Sequence, residues 1–209
     1  MTPIDELLLV IICSPSGAGK TTLTKRLLQR FGDDVTFSVS HTTREMRKNE
    51  VEGQDYHFVA REVFEEMVKN DLFAEYAEVH GNFYGTSLGE LDRARRDDRK
   101  AILFDVDYQG ARQIKAKLPR AVGIFILPPS MEELHRRLVG RGTDANEAIE
   151  TRFRNARIEI EHYGFFDYLI VNDNVNDAAQ KLEGIVHAER CKRSRMAPRA
   201  ESLLRTGKT

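Results

Sequence analysis

Eight residues, Ser14-Pro15-Ser16-Gly17-Ala18-Gly19-Lys20-Thr21, combine two glycines, a lysine and a hydroxyl in one short stretch. Successive backbone N–H groups of such a loop converge at a helix N-terminus, where unpaired donors and the helix dipole favour an anion. Gly17 and Gly19 let the chain curl closely around phosphate oxygens. Lys20 brings a positive charge to β- and γ-phosphates, and the Thr21 hydroxyl suits Mg²⁺. The strict Walker A pattern asks for glycine where this chain has Ser14. The flanks still fit the motif. Residues 7–13 are an apolar run, and Leu23, Leu27, Leu28 and Phe31 recur at helical spacing. The stretch reads as buried strand, phosphate loop, helix.

Other charged groups supply what phosphoryl transfer needs. Asp105 closes the apolar run Ala101-Ile102-Leu103-Phe104. An acid at that edge, facing a phosphate loop, either holds Mg²⁺ or its waters or caps the following segment. Asp107 points the same way if the strand continues. Arg44 and Arg47 lie three apart in a polar stretch, and Arg136, Arg137, Arg141 and Arg152 flank a Gly-Arg-Gly sequence. The planar guanidinium fork matches phosphate oxygens, and phosphoryl transfer is mainly positioning and charge neutralisation. Tyr56 and Tyr84 are either core aromatics or hydroxyls for a phosphate or ribose. Glu75 is an acid in a largely apolar segment, which by itself reads as an outward-facing strand position.

Pattern then suggests the elements that must position these groups. The 209 residues, 41% of them hydrophobic, suffice for one domain with a real core. A net charge of −1 provides no global field that selects nucleic acid. Cys13 and Cys191 are too few and too far apart for a disulfide scaffold or a zinc site. The first apolar run is too short to span a bilayer and follows no basic leader, so a soluble, cytoplasmic protein without membrane partner is expected.

Strands are expected at 37–40, 56–59, 73–79, 101–105, 122–127 and 168–171. Helices are expected at 21–30, through Val63, Phe64, Met67 and Val68, at 109–117, up to Leu138 behind a Ser130/Glu133 capping box, from an Asp144 cap to His162, and at 177–190. Residues 41–53 read as a surface loop, 80–82 as a turn, and Ser87/Glu90 as a capping box for a helix to Asp97. The charged run 93–100 reads as a solvated face, and the basic tail after Cys191 as a fraying end. Apolar strands alternating with helices imply an α/β fold: a parallel sheet covered on both faces, with ligands beyond the carboxyl ends of its strands. Residues 40–87 form a mixed excursion from it.

Six stretches carry a resemblance that spans nearly the whole chain: SPSGAGKTTL, FSVSHTTREMRKNEVEGQDYHFV, FAEYAEVHGNFYGTS, ILFDVDYQGARQIK, IFILPPSMEELHRRLVGRGT and DYLIVND. Together they resemble the guanylate kinases, specifically the bacterial type. The resemblance implies transfer of the γ-phosphoryl group of MgATP to GMP, giving ADP and GDP in purine nucleotide metabolism. It implies a P-loop nucleoside monophosphate kinase fold, with a core of residues 1–39, 88–128 and 164–209, a GMP-binding subdomain at 40–87 and a helical lid at 129–163.

By position, Ser14, Pro15, Ser16, Gly17, Ala18, Gly19, Lys20, Thr21 and Thr22 would hold the ATP phosphates, with Asn172 near the adenine. Thr21 and Asp105 would serve Mg²⁺, directly or through water. Arg44, Arg47, Tyr56 and Tyr84 would hold the GMP phosphate, while Ser40, Glu75, Thr86 and Asp107 would read guanine. Arg137, Arg141 and Arg152 would descend with the lid and complete a catalytic set with Lys20 and Arg44. A carboxylate suits guanine because N1–H and the exocyclic amine are both donors, a pattern adenine cannot offer.

Ser14, Met46 and Asn49 depart from the family's usual Gly, Pro and Gly, which alters loop stiffness and turn type while the arginine spacing is kept. A kinase of another phosphorylated acceptor, such as a ribose bisphosphate, would lack the guanine readers. A non-catalytic guanylate-kinase-like binding domain would have lost the phosphate loop and lid arginines. A homo-oligomer is compatible with the resemblance.

Overall fold

The computed structural model describes residues 7–140 and 146–206. In chain order its elements are β1 (Leu8–Cys13), α1 (Lys20–Phe31), β2 (Val35–Phe37), β3 (His41–Thr42), β4 (His57–Phe58), α2 (Arg61–Lys69), β5 (Phe73–Val79) and β6 (Asn82–Ser87). Then follow α3 (Gly89–Arg96), β7 (Ala101–Asp105), α4 (Tyr108–Lys117), β8 (Val122–Leu127), α5 (Met131–Val139), α6 (Asn146–Glu161), β9 (Tyr168–Val171), α7 (Val175–Arg190) and α8 (Arg193–Thr206).

The longest apolar runs become the centre of a parallel sheet of order β2-β7-β1-β8-β9. Such strands are apolar throughout because both faces are covered. Leu8, Val10 and Ile12 face one layer, packing with Leu23 and Leu27 of α1 and Leu182 and Val186 of α7. Leu9, Ile11 and Cys13 face the other, with Leu91 of α3 and Ala111 and Ile114 of α4. This two-residue alternation is the strand period itself. The register sets Ile12 opposite Asp105, so the phosphate loop leaves the sheet beside that acid.

A second, four-stranded sheet of order β4-β3-β6-β5 lies within the excursion expected between residues 40 and 87. It is mixed, with β3 parallel to β4 and antiparallel to β6. Phe64 of α2 stacks on Phe73 and Phe83, with centroids 4.4 and 5.2 Å away, and gives this sheet its own apolar support. Gln113 of α4 exchanges two 3.1 Å hydrogen bonds with the backbone of Tyr76, tying β5 to the larger layer.

Several expectations need correction. The strand expected at 37–40 lies at β2, two residues earlier, where it pairs with β7. His41 and Thr42, read as loop, form β3, and 82–87 is a strand that no apolar pattern announced. Backbone pairing with β5 decides β6. Its Gly85 admits close approach, since a Cβ there would lie 2.8 Å from Tyr76 Cβ.

The Ser87/Glu90 capping box does not form. Ser87 ends β6, and the buried Glu90 accepts the Val39 N–H at 2.6 Å and pairs with Arg93 at 2.7 Å. The run 93–100 is therefore no simple solvated face: Arg93 also donates to Phe37 O at 2.6 Å, and Arg99 to Asp33 O at 2.6 Å. The tail does not fray but forms α8, with Arg195 buried and donating to Arg120 O at 3.0 Å. Ser130 caps α5 as expected, accepting the Glu133 N–H at 3.0 Å. The Asp144 cap and Arg141 lie outside the described residues.

Burial pushes the Cys13 thiol up to about 12, whereas Cys191 is exposed. Alkylation of the folded protein at neutral pH is expected to modify Cys191 alone, and both cysteines once urea unfolds the chain, as read by intact-mass spectrometry.

Candidate active site

The loop between β1 and α1 takes its shape from two glycines in the left-handed region, Gly17 at φ 92° and Gly19 at φ 96°. Three side chains hold it in place. Asn172, buried just beyond β9, donates from Nδ2 to Ala18 O at 2.7 Å. A Cβ on Gly19 would collide with that same amide, and one on Gly17 would meet Leu134 and Leu138 of α5 at 3.0 and 3.1 Å. Ser14 is not among the described residues with positive φ, so the backbone there does not require the glycine it replaces. Thr21 and Thr22 stand exposed in the first turn of α1. The loop lines a cavity of about 360 Å³ together with Asp107 and Glu159.

Lys20 Nζ pairs with Asp105 Oδ1 across this cavity edge. Asp107 does not continue the strand. β7 ends at Asp105, and Asp107 is the N-cap of α4, its Oδ1 accepting the Gly110 N–H at 2.8 Å. A helix starting at Tyr108, three positions after the strand ends, overrides simple alternation, while Asp107 still lines the cavity.

A second constellation lies on the smaller sheet. Glu75 Oε1 accepts both the N–H and the hydroxyl of Thr86, at 2.9 and 2.8 Å, and Ser40 Oγ stands 3.0 Å from Thr86 Oγ1. Glu75 is 8% exposed, facing inward across the Phe73/Glu75 register shift rather than outward. Burial raises its carboxyl above the usual range, the two Thr86 bonds oppose this, and the Asp107 charge adds to it. Gly110 permits the approach of α4, since a Cβ there would lie 3.2 Å from Glu75 Oε2. Ser40, Glu75, Thr86 and Asp107 are thus brought together.

Arg44 lies nearby in a bidentate pair with Glu50, at 3.0 and 2.8 Å. Glu50 and the nearby Tyr84 raise the Arg44 pKa, and the guanidinium stands 5.5 Å from the Tyr56 ring centre. Arg47 is exposed; its backbone N–H donates to Glu50 Oε2 at 2.8 Å and its carbonyl accepts the Glu50 N–H at 3.0 Å. On the far side of the loop, Arg137 of α5 binds Glu133 Oε1 at 2.7 Å and Asn172 O at 3.1 Å. Arg152 is half-buried on α6.

Sequence reasoning missed Glu50 and Glu159. Glu50 had a signal, an acid six residues beyond Arg44 in the same polar stretch; Glu159 had none, because only the packing of α6 brings it to the loop.

A glycine-rich loop beside an acid-tipped strand and a separate polar constellation on a smaller sheet thus stand in one chain. The architecture is that of the P-loop nucleoside monophosphate kinases. The family model described as guanylate kinase matches residues 7–189, and the chain belongs to that family. A guanylate kinase of Nitrosospira multiformis is 48% identical over 196 residues, covering 94% of this chain and 92% of the relative. One of Syntrophotalea carbinolica shows the same identity and coverage. The crystal structure of guanylate kinase from Anaplasma phagocytophilum is similar at a TM-score of 0.71 and 34% identity, covering 98% of each chain.

Asn172→Ala leaves the Ala18 carbonyl without its buried donor. It is expected to lower unfolding stability by about 1–2 kcal/mol in urea titrations and to weaken ATP binding, measured by calorimetry, more than GMP binding.

Proposed function

We propose that this chain is an ATP:GMP phosphotransferase, transferring the γ-phosphoryl group of ATP to GMP to give ADP and GDP. The observation that carries this reading is the buried Glu75 carboxylate. Thr86 occupies Oε1 and fixes its plane, while Oε2 faces the Asp107 side of the cleft. Guanine presents two adjacent donors, N1–H and the exocyclic amine, to these two acids. A base without them would leave a buried acceptor unpaired.

Arg44, Arg47, Tyr56 and Tyr84 hold the GMP phosphate, with phosphate oxygens replacing the Glu50 carboxylate on Arg44. The loop 14–22 and Lys20 hold the ATP phosphates, and Asn172 acts on ATP through the loop that it props. A GMP phosphate oxygen attacks the γ-phosphorus in line, and ADP leaves along the loop. The chain's contribution is orientation and neutralisation of equatorial charge. Arg137, Arg141 and Arg152 supply further positive charge once the segment 129–163 closes, which requires Arg137 to leave Glu133 and Asn172.

Guanylate kinases in general use ATP with Mg²⁺, and hard oxygen donors fit that cation. Thr21 and Asp105, both exposed at the loop, would hold it directly or through water, and when bound it neutralises charge on the β- and γ-phosphates. Among the described residues no helix is long and apolar enough to cross a membrane. We place the activity in the cytoplasm, with GMP and ATP as partners and neither nucleic acid nor membrane, and with a homo-oligomer as an allowed assembly.

In a coupled ADP-release assay across GMP, AMP, CMP, UMP and ribose bisphosphate, GMP is expected to be preferred by about 100-fold or more. Turnover of the sugar phosphate without turnover of GMP would overturn the proposal. Glu75→Gln is expected to raise KM for GMP about tenfold while leaving ATP affinity unchanged; a parallel loss of both would contradict its base-reading role.

A further inference from the structure

Glu159 brings a negative charge into a cavity built for anions. It stands near the end of α6, yet it lines the same cavity of about 360 Å³ as the phosphate loop. The Ser16 backbone N–H, the Lys20 charge and the Asp107 carboxylate all act on its carboxylate. Its Oε2 is buried without a hydrogen-bond partner. Burial holds the carboxyl above the usual range, Asp107 adds to this, and Lys20 and the Ser16 N–H oppose it. An unpaired buried acceptor is unfavourable, so this contact is poorly compensated and easily displaced. A triphosphate in the same loop would stand against a like charge in a low-dielectric cleft.

We infer that Glu159 is an internal stand-in for the ATP phosphates, its carboxylate lining the phosphate-loop cavity and giving way when a triphosphate enters. Its departure reaches further than the loop. Arg152 lies seven residues earlier on α6, two turns and about 10 Å along the same helix face. A movement of α6 that withdrew Glu159 would carry Arg152 with it. A carboxylate that instead braced the loop would have the opposite signature, because removing it would weaken ATP binding.

The inference rests on the loop being the ATP site, and the experiment separates the two. ATP, inorganic tripolyphosphate and GMP are titrated by calorimetry into wild type, Glu159→Gln and Glu159→Ala, with KM and kcat measured alongside. Both variants are expected to bind ATP and tripolyphosphate about fivefold tighter, with a matching fall in KM for ATP, a smaller change in kcat and unchanged GMP affinity. If the glutamine variant does not fold, the alanine variant carries the test. Wild-type ATP binding with unchanged or weaker affinity in the variants would overturn the stand-in role and leave the proposed activity standing. Absence of ATP binding to wild type would overturn both.

Discussion

Cations gathered around one cleft repel one another unless each is paired. The structure meets this constraint with its own carboxylates. Lys20 is paired with Asp105, Arg44 with Glu50, and Arg137 with Glu133. The Arg44–Glu50 side chains are only 16% and 17% exposed, so an unpaired charge at either would be costly. Each pair is also one that a phosphate oxygen can replace, since a guanidinium or ammonium accepts either oxyanion in similar geometry. Each of these cations is thus held in place by a contact that another oxyanion can exchange.

The scaffold matters because these exchanges need fixed geometry. The loop curls through Gly17 and Gly19, and three neighbours leave it little freedom: Asn172 from beneath, with Leu134 and Leu138 from α5. Both faces of the parallel sheet bury apolar side chains, so β1 and β7 keep a fixed register and Ile12 stays opposite Asp105. The smaller sheet is joined to this body through α4, which carries the Asp107 cap at one end and the Gln113 bonds to Tyr76 further along. One helix therefore sets the distance between Glu75 and the donor cavity.

Glu90 shows how differently an acid can be used. It resembles half of a helix cap in sequence, yet it is buried and holds Val39 and Arg93. The connection leading into Ser40 is thereby anchored to α3. Acids in this protein thus serve different ends: Glu90 fastens backbone, whereas Glu50 and Asp105 pair with Arg44 and Lys20.

The sequence alone determined the apolar strands: β7, β8 and β9 lie at the residues expected, and β1 within one residue, because continuous apolar runs have few other stable environments, although at the sheet edge β9 leaves Leu169 and Val171 exposed. It also determined the phosphate loop, whose chemistry is local: glycines, lysine and threonine act within one turn of chain. Only tertiary structure decided β6, whose mixed residues become a strand by pairing with β5, and the helical tail, whose Arg195 is buried against Arg120. It alone turned Glu75 inward, made a helix cap of Asp107, and carried Glu159 to the loop. These outcomes depend on contacts between residues distant in the chain, and no local period or propensity encodes which partner will be there.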